Sequence, residues 1–189
     1  MHISDEHGFV YLSVPHTASW STRNWLTAHY GARQVGPVHG VVIPDGGEKY
    51  LVAANIRDPF NRVTAMWRKI HRKPDRNSLS KFLGDLGLEW PESFPEFVDL
   101  LPYMGGHKNA QFTPQATLLD GVAVDRFVIF ESLLESIHSL PFVENNPPPF
   151  PHANRNPLMR EVTPERMRRE YPDTVPQVQE WDPGIEVPS

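Results

Sequence analysis

The sequence predicts an α/β fold in which a parallel sheet is flanked by helices. Three apolar runs rich in β-branched and aromatic residues are typical of buried strands: 9–14, 50–56 and 124–130. Each run is followed by a stretch whose apolar residues recur with helical spacing. Strand–helix order repeated three times indicates a parallel sheet with helices packed on its faces. In such sheets, ligands bind beyond the carboxyl ends of the strands.

The first strand leads into a turn that is rich in hydroxyl groups. "FVYLSV" is followed by "PHTASWSTRNWL", and a helix is predicted over 21–30, ending before Gly31. A helix N-cap at Ser21 needs one hydroxyl, whereas an anion site can use several, together with the unbonded amides and the positive end of the helix dipole. The turn offers four such side chains: Thr17, Ser19, Ser21 and Thr22.

The second strand runs directly into "RDPFNRVTAMWRKIHR". Asp58 is a predicted cap and Pro59 fits the first turn of a helix whose apolar face carries Phe60, Val63, Trp67 and Ile70. Arg57 stands at the strand end, where it either binds an anion or pairs with a carboxylate such as Asp58. The third strand precedes a predicted helix over 131–140.

The remaining segments are less regular. Residues 72–95 predict a short helical insertion, and the prolines of 144–157 exclude regular structure there. "TPERMRREY" (163–171) predicts a late helix capped by its threonine. We expect one domain over residues 1–175 and a C-terminal tail over 176–189.

Composition excludes several classes of function. The chain has 189 residues and no cysteine, which excludes disulfides, thiolate metal sites and a thiol nucleophile. The net charge of −5 argues against general nucleic-acid binding.

The sequence shows neither a signal peptide nor a membrane-length apolar run, so we expect a cytoplasmic protein without a membrane partner. No histidine pair has metal-ligand spacing on a predicted helix, so no metal is expected. The glycines and lysine of a Walker loop are missing, which argues against an ordinary nucleotide hydrolase.

Four segments resemble motifs of the sulfotransferases. "VPHTASWSTRNWL" resembles their 5′-phosphosulfate loop, P-K-T-[AG]-[GS]-T-S, and "IRDPFNRVTAMW" resembles their 3′-phosphate motif, R-[DN]-P-x-x-R-x-x-S. "NAQFTPQATLLDG" with "VDRFVIFESLLESI" is similar to the later P-Q and strand-Glu-x-Leu pattern. "HANRNP" with "TPERMRREYPDT" is similar to the asparagine-containing loop and closing helix of carbohydrate-type members. The resemblance spans residues 9–175 in family order.

The resemblance implies a P-loop-like α/β sulfotransferase fold. It implies transfer of a sulfuryl group from 3′-phosphoadenosine 5′-phosphosulfate (PAPS) to a hydroxyl or amine of a saccharide or small metabolite, without a metal. The product would be adenosine 3′,5′-bisphosphate. The chain offers Arg57 and Thr64 for the 3′-phosphate, and Asn154 and Arg155 for closure over the nucleotide. The expected 5′ contacts are Pro15, His16, Thr17, Ala18, Ser19, Trp20, Ser21 and Thr22.

The sequence departs from the family in the loop. His16 replaces the lysine that stabilises the leaving phosphate, Ser19 replaces a glycine and Trp20 a threonine. Histidine titrates near neutral pH, so charge stabilisation should be weaker than with lysine, or pH-dependent. The alternative function is therefore a catalytically weak homologue that binds the nucleotide. A kinase-like phosphoryl transferase is less favoured, because it lacks a Walker lysine and an evident magnesium-binding aspartate.

In-line transfer also requires a base that accepts the proton of the attacking hydroxyl. His39, in the glycine-flanked "GPVHGVVIP", is the first candidate, and His107 is the second. Both are also compatible with ordinary loop histidines, and Glu131 is better explained as a structural partner. Segments 72–106 and 144–157 are expected to frame a small acceptor. The basic stretch "HRKPDR" either attracts an anionic saccharide or is a solvated helix end.

Overall fold

The computed structural model describes residues 1–43, 45–72, 78–104, 110–151 and 162–186. The chain divides into two compact units, which we describe separately. The first unit comprises residues 1–57, 115–155 and 185–189, and the second comprises 58–114 and 156–184.

Four of the five strands lie within the first 56 residues, and helices dominate the rest of the chain. The strands are β1 (His2–Ser4), β2 (Phe9–Leu12), β3 (Arg33–Gln34), β4 (Leu51–Ile56) and β5 (Arg126–Ile129). The helices are α1 (Ser19–His29), α2 (Pro59–Arg72), α3 (Ser78–Leu86), α4 (Phe94–Met104), α5 (Gln115–Leu118), α6 (Leu133–His138), α7 (Pro164–Glu170) and α8 (Thr174–Trp181). None of the helices in these described ranges has the length and apolar character needed to cross a bilayer.

The sheet of the first unit is mixed. Its strand order is β3-β1-β2-β4-β5, and the predicted strands β2, β4 and β5 pair in parallel. The prediction of a parallel sheet is thus confirmed for these three strands but wrong for the whole sheet. Strand β1 pairs antiparallel with both β2 and β3. Strands of three and two residues are too short to show a period in the sequence, so neither was predicted.

Both faces of the parallel strands are covered. On one face, Phe9, Tyr11 and Ala53 pack with the α1 residues Trp25 and Leu26. The opposite face is a second apolar cluster that contains the alternate strand residues Val10, Leu12, Val52, Ala54 and Ile56. Burial on two faces explains why these strands are continuous apolar runs rather than alternating ones.

The helices begin close to their predicted positions. Asp58 Oδ1 accepts a hydrogen bond from the amide of Asn61 at 2.8 Å, so the predicted cap of α2 is confirmed. The Thr163 side chain caps α7 in the same way. Gly31 follows α1 with a φ of +61°, which a glycine adopts without steric cost. The predicted helix over 131–140 is confirmed only in its central part, as α6.

The second unit has its own helical core. Phe60, Val63 and Trp67 of α2 lie in one buried cluster with side chains of α3, α4, α7 and α8. Helix α3 agrees with the predicted insertion, whereas α4 was not predicted. Helix α8 occupies the segment expected to begin a tail, and Val178 is fully buried in it. Pro176 lies in the first turn of α8, where a helix tolerates proline.

A buried ion pair secures the end of α8. Arg62 Nη1 donates to Asp182 Oδ2 at 3.2 Å, and both side chains are fully buried. Arg62 Nη2 also donates to the Thr113 carbonyl at 2.8 Å. Burial lowers the pKa of Arg62 to about 10, against the opposing effect of Asp182, so the guanidinium stays charged at neutral pH. Removal of one partner leaves the other charge buried.

We therefore expect Asp182→Ala to lower the free energy of unfolding by about 3–5 kcal/mol. Urea denaturation measures the loss. The matched control is Asp85→Ala, which removes an exposed pair with Lys81 and should cost less than about 1 kcal/mol. The double variant Arg62→Met/Asp182→Leu should recover most of the stability, because neither charge is then buried. Equal small losses in both single variants would contradict a structural role for the pair.

Candidate functional site

The loop between β2 and α1 has a strained backbone. His16 and Ala18 adopt left-handed φ angles of +66° and +64°, although neither is glycine. Such conformations persist only where the surrounding structure holds them, and they cluster at ligand sites. Ala18 is the N-cap of α1 and supplies no side-chain hydrogen bond. No N-cap side chain therefore hydrogen-bonds to the first-turn amides of α1. Amides that point out of a helix N-terminus in this way commonly bind anions.

The four hydroxyl side chains of this segment form two pairs with different roles. Thr17 Oγ1 donates to the Val14 carbonyl at 2.8 Å, and Thr22 Oγ1 donates to the Ala18 carbonyl at 3.3 Å. Ser19 and Ser21 are 6% and 5% exposed, and no residue in the described part of the chain hydrogen-bonds either hydroxyl. The two serines can therefore donate to an anion, whereas the protons of both threonines are directed at the loop backbone. The N-cap role expected for Ser21 is taken by Ala18.

Asn55 of β4 anchors this loop to the sheet through side-chain hydrogen bonds. Its Nδ2 donates to the Thr17 carbonyl at 2.8 Å and lies 3.3 Å from Thr22 Oγ1. Its Oδ1 accepts a hydrogen bond from the Tyr11 hydroxyl. Burial raises the pKa of Tyr11, which keeps the phenol protonated and able to donate. Sequence reasoning missed Asn55, although an asparagine inside "YLVAANI" was the available signal.

The structure places Arg57 against the same loop. Its Nη1 donates to the His16 carbonyl at 3.1 Å, and its guanidinium carbon lies 3.7 Å from the centre of the Phe130 ring. The Gln115 side chain accepts a hydrogen bond from the Arg57 amide and donates one to the Arg57 carbonyl. Asp58, the alternative partner considered for Arg57, instead accepts from Arg168 at 2.6 Å within the second unit.

His39 lies beside the end of β2. Its Nδ1 is hydrogen-bonded to the Ser13 carbonyl, and Ser13 stands two residues before Pro15 at the start of the loop. A carbonyl oxygen only accepts hydrogen bonds, so Nδ1 carries the proton. In the neutral ring, Nε2 then has the lone pair and is the nitrogen that can accept a proton.

The other predicted site residues have different surroundings. Pro15 is buried, whereas Trp20 is 46% exposed at the start of α1. Thr64 belongs to the second unit, is buried, and donates to the Phe60 carbonyl at 2.9 Å. Counted from Arg57, the serine position of the 3′-phosphate motif falls on Ala65, so Thr64 does not occupy it. His107, Asn154 and Arg155 lie outside the described residues.

The described ranges contain no group of three or more histidine, aspartate or glutamate side chains that could hold a metal ion. A comparison of the chain with family models, curated proteins and solved structures finds no match. The likeness to sulfotransferases therefore stays a resemblance of short motifs, and the functional argument rests on the geometry of the loop, Arg57 and His39.

Asn55→Leu tests whether the buried amide holds the loop. The substitution leaves the Tyr11 hydroxyl and the Thr17 carbonyl buried without this partner, so we expect the free energy of unfolding to fall by at least about 2 kcal/mol. Chemical denaturation measures it. Asn24→Leu, at an exposed position of α1, is the control and should change stability by less than about 0.5 kcal/mol. If both variants unfold at the same denaturant concentration, Asn55 does not support the loop.

Proposed function

We propose that the chain is a sulfotransferase that moves a sulfuryl group from PAPS to a hydroxyl of a carbohydrate or small metabolite. One observation carries the proposal. The Arg57 guanidinium is hydrogen-bonded to a strained loop whose two buried serine residues, Ser19 and Ser21, have hydroxyls without a bonding partner among the described residues. Cation, hydroxyls and helix amides are the three kinds of donor that polyanionic nucleotides require.

The two ends of the donor would be bound by different groups. The first-turn amides of α1 and the hydroxyls of Ser19 and Ser21 suit the 5′-phosphosulfate. Arg57 suits the 3′-phosphate, because its planar guanidinium presents N–H donors in a fork that matches two phosphate oxygens. Thr64 is not included in this proposed nucleotide site, since its hydroxyl already donates to a main-chain carbonyl within α2.

The proposed chemical step uses these groups together with His39. The acceptor oxygen attacks sulfur, the bond between sulfur and the 5′-phosphate oxygen breaks, and adenosine 3′,5′-bisphosphate leaves with the electron pair. His39 Nε2 takes the proton of the acceptor hydroxyl. The hydrogen-bond donors of the loop are held in place before the reaction and would stabilise the negative charge that develops on the leaving phosphate. Such stabilisation is usually the largest single contribution to an enzyme's rate enhancement.

The alternative is a homologue that binds the nucleotide with little turnover. It is favoured by the residue at position 16, where a histidine stands in place of the expected lysine. His16 nevertheless uses its main-chain carbonyl to bind Arg57, so it keeps a structural role in the loop. Nucleotide binding without transfer to any acceptor, followed by a gain of transfer in His16→Lys, would favour this alternative.

Nucleotide binding tests the Arg57 assignment. Adenosine 3′,5′-bisphosphate should raise the melting temperature more than ADP, which lacks the 3′-phosphate. Arg57→Ala should weaken binding of the bisphosphate by about tenfold or more and remove its advantage over ADP, because a charge-assisted pair is lost. Arg33→Ala removes an exposed arginine paired with Asp5 and serves as the control. Equal stabilisation of the wild-type chain by both nucleotides would contradict a 3′-phosphate site.

Transfer from labelled PAPS, screened over sugars and phenols, tests His39. His39→Asn keeps a side-chain N–H for the Ser13 carbonyl but removes the proton acceptor. We expect transfer to fall by about 100-fold or more, while the affinity for adenosine 3′,5′-bisphosphate stays unchanged. His29→Asn, at an exposed position of α1, is the matched control. Full transfer activity in His39→Asn would exclude His39 as the base.

A further inference from the structure

Gln115, the first residue of α5, is buried to an extent that glutamine rarely shows. Its exposed fraction is 1%. Its Oε1 accepts a hydrogen bond from the Arg57 amide at 3.1 Å, and its Nε2 donates to the Arg57 carbonyl at 2.6 Å. One side-chain amide thus takes both backbone hydrogen bonds of one residue, as a neighbouring strand would.

This contact lies where the sheet ladder stops. The last paired residues of β4 and β5 are Ile56 and Ile129, so Arg57 is the first residue beyond the ladder. A backbone at a strand end normally varies in direction, and its side chain varies with it. The Gln115 amide continues the ladder by one residue and fixes the direction in which the Arg57 side chain leaves the strand.

The Arg57 side chain is held at its far end as well. The guanidinium lies over the Phe130 ring, and Nη1 is bound to the His16 carbonyl. Phe130 directly follows β5, so three separate segments meet at one arginine. A guanidinium fixed at both ends loses little freedom when an anion binds, which increases affinity without any further contact.

We propose that Gln115 is a positioning residue that sets the Arg57 guanidinium for anion binding and itself touches no ligand. This inference rests on the proposed function only for the identity of the anion. The geometric part, Gln115 acting on the Arg57 side chain, can be measured without a ligand.

Side-chain NMR of the full chain tests the geometric part. A guanidinium above an aromatic ring has its proton resonances displaced upfield, and Phe130→Leu, which should abolish the displacement, assigns them to Arg57. We expect Gln115→Leu to lose at least half of this displacement. Gln34→Leu removes an exposed glutamine that also donates to a backbone carbonyl, and it should leave the displacement unchanged. An unchanged Arg57 signal in a folded Gln115→Leu variant would overturn the proposal.

Binding of adenosine 3′,5′-bisphosphate tests the functional part. Gln115→Leu should weaken this binding by about tenfold or more and weaken ADP binding less, because a misdirected charge loses mainly the 3′-phosphate contact. Gln115→Glu provides a rescue. A protonated carboxyl can replace both amide bonds, whereas a carboxylate cannot donate to the Arg57 carbonyl and attracts the guanidinium. The affinity of Gln115→Glu should therefore rise toward that of the wild type as pH falls.

The pH series for the wild type is the reference, since the two proteins differ only at position 115. A parallel loss of bisphosphate and ADP binding, without rescue of Gln115→Glu at low pH, would mean that Gln115 is only structural and would overturn the proposal. If the wild type itself binds no bisphosphate, the proposed function fails, and the NMR measurement alone decides the positioning role.

Discussion

The buried side chain of Asn55 joins strand β4 to the loop that precedes α1. Parallel pairing of β2 with β4 brings both strand ends to one edge of the sheet, but it does not fix the loop beyond them. Asn55 does so, because its one side-chain amide binds the Thr17 carbonyl and the Tyr11 hydroxyl, and all three residues are fully buried. A polar group buried this deeply is costly unless its bonds are made, so the loop has one favoured position.

That fixed position explains how the loop keeps a strained backbone. Left-handed angles at His16 and Ala18 cost about 1 kcal/mol or more each, and local sequence does nothing to relieve them. The cost is offset by three sets of hydrogen bonds to the loop, which come from the Asn55 side chain, from the threonine hydroxyls within the loop and from the Arg57 guanidinium. The first turn of α1 is consequently presented without a side-chain cap, and Ser19 and Ser21 keep their donors.

Local signals in the sequence were sufficient for the main elements of the fold. Apolar runs located the three parallel strands, and Asp58 with Pro59 located the start of α2. The same reasoning failed for the short strands β1 and β3 and for helix α8, whose first turn contains a proline. It also missed Asn55 and Gln115 as site residues. Their partners lie 38 and 58 positions away in the chain, so the sequence can show an unusual polar residue but not the group that it contacts.

The position of Arg57 offers a substitute for the positive charge that the sulfotransferase motif has at position 16, where this chain has histidine. The sequence alone places the only loop cation at His16, whose charge would depend on pH. In the structure, a guanidinium that stays charged at any physiological pH is bound to the main chain of that same residue. Under the proposed function, the loop therefore has a permanent positive charge supplied by Arg57, the residue directly after β4, rather than by its own sequence. His16 need then contribute only its backbone geometry, and a histidine at this position is compatible with an anion site.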